Sequence, residues 1–358
     1  MIPVTKTYLP PIAEYMRQVQ RAYDNGWLTN RGELVQELEQ KLSHFLHLEE
    51  SKILCLNNGT IPLQIALKVL GNGGEIITTP FSYIATTSSI VWEGCTPVFI
   101  DIHPEYLTID ETKIEDAITE KTTCILATHV FGNPCNVEEI ECIAKKHKLK
   151  VIYDAAHCFG VKYKGKSIFE YGDISTCSFH ATKVFHTGEG GAIFCKDEEL
   201  YKKLFYSHNF GHNGPYDFHC VGINGKMSEL HAGMGLAVLP YMETILAGRK
   251  QVVDFYNSNL NSISIKKIEF RDFSIWNFSY YPIIFESEEI LMNSLRKLNQ
   301  IDIYPRRYFY PSLNTISYIK SDKMTNSESI STRILCLPLY DSIKLEELEK
   351  ITKIINES

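Results

Sequence analysis

Residues 178–192 read Ser178-Phe-His-Ala-Thr-Lys183-Val-Phe-His-Thr-Gly-Glu-Gly-Gly-Ala192. A lysine follows a strand-like run and precedes three glycines, which allow the backbone to approach a ligand closely. The glycines match neither a Walker motif nor a dinucleotide fingerprint, and a single lysine at a strand end is commonly only a solvated charge. The neighbouring hydroxyl and imidazole side chains favour a ligand-binding turn that presents Lys183.

Around this stretch, short apolar runs alternate with helical segments, a pattern typical of strands joined by helical crossovers in a mostly parallel sheet. Two helical segments, 63–70 and 137–147, carry apolar residues at helical spacing. The predicted strands are 53–56, 75–78, 97–102, 124–130, 151–154, 174–179 and 192–195. Each strand is short and nearly all apolar, so we predict an α/β fold whose sheet is covered by helices on both faces.

A smaller second unit is predicted to follow a long helical stretch at 227–246. The remaining predicted elements are a helix at 249–260, strand-like runs at 280–285 and 334–338, and a charged helix at 345–356. We therefore predict a large domain over residues 1–245 and a smaller α+β domain over residues 246–358.

Composition excludes several classes of protein. The 358 residues carry a formal net charge of −7 and no long Lys/Arg run, which argues against nucleic-acid binding. Since no signal peptide and no apolar run of membrane-spanning length is evident, we expect a cytoplasmic protein that is not bound to a membrane. Ten scattered cysteines without a CxxC pair predict reduced core thiols. The sequence contains no HExxH motif and no His/Cys spacing of the kind that binds zinc, so we predict no metal site.

A second polar element ends an apolar run in Val151-Ile-Tyr-Asp154-Ala-Ala-His157. Ligands of open α/β sheets bind at the carboxyl ends of strands. By itself, Asp154 would be read as a helix N-cap. Together with Lys183 it indicates pyridoxal 5′-phosphate (PLP), which needs a carboxylate to keep its ring nitrogen protonated and a lysine to hold it as a Schiff base.

A third element, Leu56-Asn-Asn-Gly59-Thr60-Ile-Pro62, is a polar glycine turn before an apolar-periodic helix. A helix N-terminus with free backbone N–H groups and a hydroxyl suits a phosphate, although the same turn could be no more than a capped helix. The three elements together supply a phosphate site, a partner for a pyridinium and a Schiff-base lysine.

In these residues the chain resembles the sugar aminotransferases of the DegT/DnrJ/EryC1/StrS family, which belong to fold type I of the PLP enzymes. The family pattern Ser-Phe-His-x-Thr-Lys matches residues 178–183, and Gly-Glu-Gly-Gly follows as expected. The resemblance extends from residues 30–39 to residues 333–339. It implies a mostly parallel central sheet covered by helices and a smaller C-terminal α+β domain.

The resemblance also implies roles for individual residues. Lys183 would hold PLP and shuttle protons, with pyridoxamine 5′-phosphate formed during turnover. Asp154 would pair with the ring nitrogen, and His157 would lie near the ring hydroxyl. The phosphate would be bound by Gly59, Thr60 and Ser178. Tyr83 would stack on the ring, the alternative being a buried aromatic at a strand end.

The segment Gly222-Ile-Asn224-Gly-Lys226-Met-Ser-Glu-Leu230 is similar to the family's Gly-x-Asn-x-Arg-Met-Ser-Glu-Leu. In the family, this Asn reaches the phosphate of the neighbouring subunit's cofactor. The resemblance therefore implies a homodimer with shared active sites, to which Asn224 contributes. Lys226 replaces the usual Arg, which keeps the charge but loses the planar guanidinium fork.

Residues 306–311, Arg-Arg-Tyr-Phe-Tyr-Pro, match a family segment that approaches substrate. Arginines suit a diphosphate, and aromatic rings suit a sugar or a base. Arg307 and Tyr308 are therefore candidate substrate contacts, although exposed Arg-Tyr pairs are often only surface residues. His186 is a further candidate, and a packed core histidine is the competing interpretation.

The implied reaction moves an amino group from L-glutamate, by way of PLP, to a ketone carbon of a nucleotide-linked hexose. Overall similarity suggests dTDP-4-keto-6-deoxy-D-glucose, giving dTDP-4-amino-4,6-dideoxy-D-glucose for O-antigen or other surface polysaccharide. A 3-keto-sugar aminotransferase of the same family is an alternative. A PLP-dependent sugar dehydratase is another, disfavoured because those relatives have histidine in place of the lysine. A PLP-binding regulatory protein without catalysis is the alternative from a different class.

Overall fold

The computed structural model describes residues 1–319 and 321–358. The strands are β1 (Ile2–Pro3), β2 (Lys52–Leu56), β3 (Glu75–Thr78), β4 (Thr96–Phe99), β5 (Thr122–Thr128), β6 (Lys150–Asp154), β7 (Lys162–Tyr163), β8 (Lys166–Ser167), β9 (Ile174–Ser178), β10 (Gly191–Cys195), β11 (Ile265–Lys267), β12 (Ser274–Ile275), β13 (Tyr281–Phe285), β14 (Ile303–Tyr304) and β15 (Ile334–Leu337). The helices are α1 (Ile12–Asp24), α2 (Glu33–Phe45), α3 (Ile61–Leu70), α4 (Ile84–Trp92), α5 (Val137–His147), α6 (Glu198–Ser207), α7 (Glu229–Val238), α8 (Met242–Asn259), α9 (Glu288–Gln300), α10 (Thr325–Arg333) and α11 (Leu345–Asn356).

A seven-stranded sheet in the order β2-β10-β9-β6-β5-β3-β4 forms the centre of the larger part of the chain. Strand β10 runs antiparallel to β2 and β9, and the other neighbours pair in parallel. All seven strands expected from the sequence belong to this sheet, and its faces pack into two hydrophobic clusters. The predicted α/β fold with a mostly parallel, helix-covered sheet is confirmed.

Two of the predicted strands end two or more residues earlier than expected, and β9 ends one residue early, at Ser178. Strand β4 stops at Phe99 and β5 stops at Thr128, whereas the apolar runs continue to residues 102 and 130. Ile102 lies in an isolated β-bridge with Ile109, and Val130 begins a short 3-10 turn. Both are nevertheless fully buried, in a cluster that also contains residues of the C-terminal part. Apolar character therefore marks burial here, and it extends beyond the strands themselves.

Helices α7 and α8 follow one another with only the short 3-10 turn 239–241 between them. The sequence had placed the break near residue 247. Pro240 accounts for the true position, because proline cannot donate the backbone hydrogen bond that a continuous α-helix needs. By length and mean hydropathy, the stretch Glu229–Asn259 could cross a membrane, contrary to the expectation from the sequence. Both of its ends, however, pack into hydrophobic clusters.

The C-terminal residues pack around a separate hydrophobic cluster of their own and the antiparallel sheet β11-β13-β15. The first turns of α8 contribute Met242 and Ile245 to the large cluster, whereas Val252 and Tyr256 contribute to the C-terminal one. Strand β1 pairs with β14, so the first residues of the chain pack with the C-terminal part. A division near residue 245 remains a prediction.

Eight of the ten cysteines are buried in the structure, as expected of core thiols. Cys142 differs, since it is exposed on α5, and Cys220 is only partly buried. The apolar pattern around Cys142 carries no signal that separates it from the others.

Candidate active site

A cavity of about 380 Å³ opens where the carboxyl ends of β6 and β9 meet the C-terminal part of the chain. Most of the side chains singled out in the sequence line it, namely Gly59, Thr60, Tyr83, Asp154, His157, Ser178, Lys183 and Tyr308. Parallel topology explains this convergence, because strands that run in one direction end at the same edge of the sheet.

The turn after β2 places Gly59 directly against Ser178. A Cβ atom at residue 59 would lie 2.6 Å from Ser178 Cβ, so only glycine fits there. The expected free N–H groups are only partly available, because Asn58 Oδ1 accepts hydrogen bonds from the N–H groups of Thr60 and Ile61, each at 2.8 Å. This asparagine caps the helix by itself. The hydroxyls of Thr60 and Ser178 would therefore remain available to a phosphate. The two N–H groups would become available only if the Asn58 side chain moved.

Asp154 is the last residue of β6 and is buried. Its carboxylate accepts the Thr86 hydroxyl at 2.6 Å and the Ala156 N–H at 3.1 Å. Burial raises the pKa of Asp154, while these hydrogen bonds and the charge of Lys183 oppose the change. Among the described residues, Asp154 has no cation within ion-pair distance, so a protonated ring nitrogen would supply the counter-charge that it lacks.

Lys183 lies in the turn after β9 and is partly buried in the cavity. Burial lowers the pKa of Lys183, and the nearby Asp154 carboxylate acts in the opposite direction. Its Nζ lies 5.8 Å from the centroid of the Tyr280 ring. An amine with a lowered pKa spends more time unprotonated, as a nucleophile or a base requires.

His157 is oriented by a backbone hydrogen bond. The Phe131 N–H donates to His157 Nδ1 at 3.2 Å, which assigns the ring proton to Nε2. Burial lowers the pKa of His157 well below its ordinary value, and the positive charge of Lys183 acts in the same direction. The side chain is therefore a neutral imidazole that offers an N–H as a hydrogen-bond donor.

The part of the cavity lining that belongs to the large sheet, Gly59, Asp154, His157, Ser178 and Lys183, is called the sheet wall below. The opposite part, the C-terminal wall, consists of Tyr280, Arg306, Tyr308 and Phe309. The rings of Tyr280 and Tyr308 meet edge to face at 5.4 Å. Of this wall, the sequence had suggested Tyr308 alone.

Arg306, rather than Arg307, lines the cavity. Arg306 and Cys336 exchange both of their backbone hydrogen bonds, at 3.1 and 2.8 Å. In such an extended pairing, successive side chains point to opposite sides. Arg307 therefore faces away, where it donates to the carboxylate of Glu288 at 2.6 Å and to the Thr332 carbonyl at 2.9 Å.

Two more of the residues singled out in the sequence lie outside the cavity of their own chain. His186 is buried and its Nε2 bonds to the Tyr8 carbonyl at 2.7 Å, as a packed core histidine would. Asn224 is exposed, and its carbonyl accepts the side-chain amide of Asn57 at 3.3 Å.

Sequence reasoning missed several residues that hold the site together. Thr86 lies one helical turn after Tyr83, and its hydroxyl bonds to Asp154. That spacing of three residues places both on one side of α4 and could have identified Thr86. Asn277, which donates to the carbonyl of His157 at 2.8 Å, carries no comparable signal in the sequence.

The residues present fit PLP. Within residues 1–319 and 321–358, the buried Asp154 carboxylate has no counter-ion and the Lys183 amine has no ion-pair partner. The close approach of Gly59 to Ser178, this carboxylate and this amine match the cofactor's phosphate, ring nitrogen and aldehyde, respectively. Fold and site together define a PLP-dependent enzyme of fold type I.

This chain belongs to the DegT/DnrJ/EryC1/StrS aminotransferase family, whose model matches residues 12–356. Enzymes of this family depend on PLP. A Shigella dysenteriae protein named dTDP-4-amino-4,6-dideoxy-D-glucose transaminase is 42% identical over 364 residues, covering 99% of this chain and 98% of the relative. An Escherichia coli protein of the same name is 38% identical over 372 residues, with the same coverage of both chains.

Among solved structures, DesI in the presence of its TDP-sugar product is similar with a TM-score of 0.94. The identity is 26%, and the match covers 99% of this chain and 92% of DesI. The likeness thus extends over the sheet and the C-terminal part together.

Proposed function

We propose that this chain transfers the amino group of L-glutamate to C4 of dTDP-4-keto-6-deoxy-D-glucose, giving dTDP-4-amino-4,6-dideoxy-D-glucose. The observation that carries the proposal is the 42% identity, over nearly the full length of both chains, to a transaminase named for that amino sugar. The intact set of Lys183, Asp154 and the Gly59 turn supports catalysis over a purely regulatory role.

When bound, PLP supplies an electron sink for the carbon that loses its proton. In the proposed mechanism, Lys183 moves that proton, since its lowered pKa leaves a fraction of the amine free to act as a base. Asp154 holds the ring nitrogen in its protonated state. Thr86 keeps the Asp154 carboxylate in one orientation through their 2.6 Å hydrogen bond.

The other contacts with the cofactor are proposed from the cavity lining. Gly59, Thr60 and Ser178 are assigned to the phosphate, and the Nε2–H of His157 to the ring hydroxyl. Tyr83 begins α4 with its side chain at the cavity and is assigned to the face of the ring.

Arg306 and Tyr308 are proposed to bind the nucleotide sugar. Arg306 is exposed, and its guanidinium has no carboxylate partner among the residues that the structure describes. It is therefore free to donate hydrogen bonds to a diphosphate. The Tyr308 ring is partly buried beside it and offers an apolar face to a sugar or base.

A homodimer with shared sites is also proposed. Asn224 does not line the cavity of its own chain, and its segment carries apolar side chains that are unusually exposed, Tyr216 at 94% and Val221 at 74%. Exposed apolar surface of this kind favours burial against another protein. In a two-fold dimer, Asn224 of one subunit would complete the phosphate site of the other.

The place of the reaction follows from its product. An amino-dideoxy sugar carried on dTDP is an activated building block, and we propose that it serves the assembly of surface polysaccharide such as O-antigen. The proposed location of the reaction is the cytoplasm, as expected from the sequence.

The substrate proposal is tested by incubating the PLP-loaded protein with L-glutamate and matched 4-keto and 3-keto sugars on dTDP, UDP and GDP. Products are identified by mass spectrometry and NMR. The proposal predicts one equivalent of 2-oxoglutarate per amino sugar, with dTDP-4-keto-6-deoxy-D-glucose giving the highest kcat/KM. Loss of a sugar hydroxyl without amine transfer would favour a dehydratase. No reaction with any ketosugar, despite PLP binding, would favour a regulatory protein.

The dimer proposal is tested with two impaired variants, Lys183→Ala and Asn224→Ala. The two proteins are mixed, denatured and refolded together so that hybrid dimers form. If sites are shared, a hybrid dimer contains one site with both residues intact, and random pairing restores about a quarter of the wild-type sites. Activity that stays at the average of the two separate variants would contradict shared sites.

A further inference from the structure

A buried arginine lies outside the cavity and has no carboxylate at ion-pair distance among the described residues, although the charge of Asp341 acts on it. Arg249, in the middle of α8, is only 4% exposed. Burial lowers its pKa to about 10. Its Nε donates to the carbonyl of Phe278 at 2.8 Å, and its Nη2 donates to the carbonyl of Ser279 at 2.6 Å. No ion pair with Arg249 occurs in the part of the chain that the structure describes.

Such a residue is costly to keep. Transfer of a guanidinium from water to the protein interior is unfavourable unless hydrogen bonds replace its hydration. Neutral carbonyls replace it only in part. The energetic cost indicates that Arg249 has a role that a smaller apolar side chain could not fill. That role is to hold the main chain of the segment 276–280 in place.

The 276–280 segment contacts His157 of the sheet wall directly, and it also contacts Phe131, which bonds to His157. Trp276 Nε1 and the Ser279 hydroxyl both donate to the carbonyl of Phe131, at 2.8 and 2.7 Å. Asn277 donates through its amide to the carbonyls of His157 and Phe159, at 2.8 and 2.9 Å. Phe131 in turn directs its N–H at His157 Nδ1.

The same segment ends at Tyr280, which belongs to the C-terminal wall. The Tyr280 ring lies 4.8 Å from the His157 ring and 5.8 Å from Lys183 Nζ. A continuous set of hydrogen bonds and ring contacts therefore connects Arg249 on α8 to His157, and it also places an aromatic ring beside Lys183.

We propose that Arg249 is a positioning residue that fixes the 276–280 segment and, through Phe131 and Asn277, holds His157 as an Nε2–H donor toward the cavity. The inference rests on the proposed function, in which that N–H faces the ring hydroxyl of PLP. Arg249 acts through these intermediaries and touches neither cofactor nor substrate.

The test is the pH titration of the visible absorption band of the PLP-loaded protein. An N–H donor stabilises the ring oxygen in its anionic form. If His157 is displaced, the bound cofactor should hold its proton more strongly, and the band's pH midpoint should rise. For Arg249→Gln we expect a rise of about one pH unit, as for loss of one hydrogen bond to a charged group.

Four further proteins, the single variant His157→Gln among them, make the test specific. Arg249→Lys, which retains the charge and one donor group, should restore part of the wild-type midpoint. Lys250→Gln is the matched control, because Lys250 is the next residue on α8, is exposed, and pairs with Asp254 at 2.6 Å. In the double variant His157→Gln/Arg249→Gln, the midpoint should equal that of His157→Gln alone, since both changes act through one side chain.

The outcomes separate this inference from the proposed function. A wild-type protein without a visible band would overturn both. A wild-type band together with an unchanged midpoint in folded Arg249→Gln, or with additive shifts in the double variant, would overturn the positioning role only. If Arg249→Gln does not fold, Arg249→Lys decides, since a single ammonium group cannot replace both guanidinium bonds to the Phe278 and Ser279 carbonyls. A raised midpoint supports the role, and an unchanged midpoint refutes it.

Discussion

The two walls of the cavity are built differently. Residues of the sheet wall follow the ends of neighbouring strands and are positioned by main-chain topology, as Asp154 at the end of β6 and Ser178 at the end of β9 show. Residues of the C-terminal wall, such as Tyr280 and Arg306, reach the cavity through packing between distant parts of the chain. We infer that the sheet wall binds the cofactor and performs chemistry, whereas the C-terminal wall selects and positions the substrate.

The largest effect should follow a change in the sheet wall, Lys183→Ala. This variant loses both the attachment point for PLP and the proton-transfer group, so we expect turnover to fall by about 1,000-fold or more. The measurement is steady-state formation of the amino sugar. Lys166→Ala, at the exposed first position of β8, is the matched control and should retain full activity. Substantial turnover by a folded Lys183→Ala protein would refute the assignment.

A smaller but still large loss should follow Asp154→Asn. The amide has the same shape but cannot stabilise a protonated ring nitrogen, so kcat should fall by about 100-fold while PLP still binds. Stopped-flow absorbance of the glutamate half-reaction measures this directly. Asp197→Asn, which alters the N-cap of α6 away from the cavity, controls for loss of a carboxylate. A wild-type half-reaction in Asp154→Asn would remove the division of roles between the walls.

A change in the C-terminal wall should affect substrate binding more than chemistry. Arg306→Gln should raise KM for the nucleotide sugar by about tenfold, as expected for loss of a charge-assisted contact. KM for L-glutamate and the rate of its half-reaction should change little. Arg307→Gln is the matched control, since Arg307 faces Glu288 and not the cavity. Equal effects of the two variants, or a slower glutamate half-reaction in Arg306→Gln, would contradict the assignment.

The smallest effect concerns stability and lies outside both walls. Burial lowers the pKa of His208 to about 4, below the ordinary histidine value of 6.5. This histidine stays neutral in the folded protein and becomes protonated in the unfolded chain. It therefore lowers the free energy of unfolding as pH falls from 6.5 to 4, by up to about 3 kcal/mol. His208→Gln should therefore lose less stability over that range in urea unfolding, whatever its stability at pH 7. An unchanged pH dependence would show that His208 is accessible to protons in the folded state.

Much of the sheet wall could be predicted because its signals are local. A strand, a polar turn and a helix follow one another at residues 52–70, and the parallel arrangement brings such turns together. The hydrogen bonds that Asn58 accepts from the N–H groups of Thr60 and Ile61 were not foreseen, because the same asparagine could equally have bound a ligand or faced solvent.

The C-terminal wall could not be predicted in the same way. Which of two adjacent arginines enters the cavity depends on the backbone pairing of Arg306 with Cys336, 30 residues apart in the sequence. Tyr280 and Asn277 acquire their roles only through contacts with residues more than 90 positions earlier. No spacing rule identifies such partners, since tertiary packing determines them.

The most direct test of the account is the visible absorption spectrum of the purified protein incubated with PLP, recorded before and after addition of L-glutamate. We predict a yellow band that requires Lys183 and is still present in Arg306→Gln. The band should collapse in the wild-type protein and in Arg306→Gln when glutamate is added. Absence of any band in the wild-type protein, or a band that glutamate leaves unchanged, would contradict the assignment of cofactor chemistry to the sheet wall.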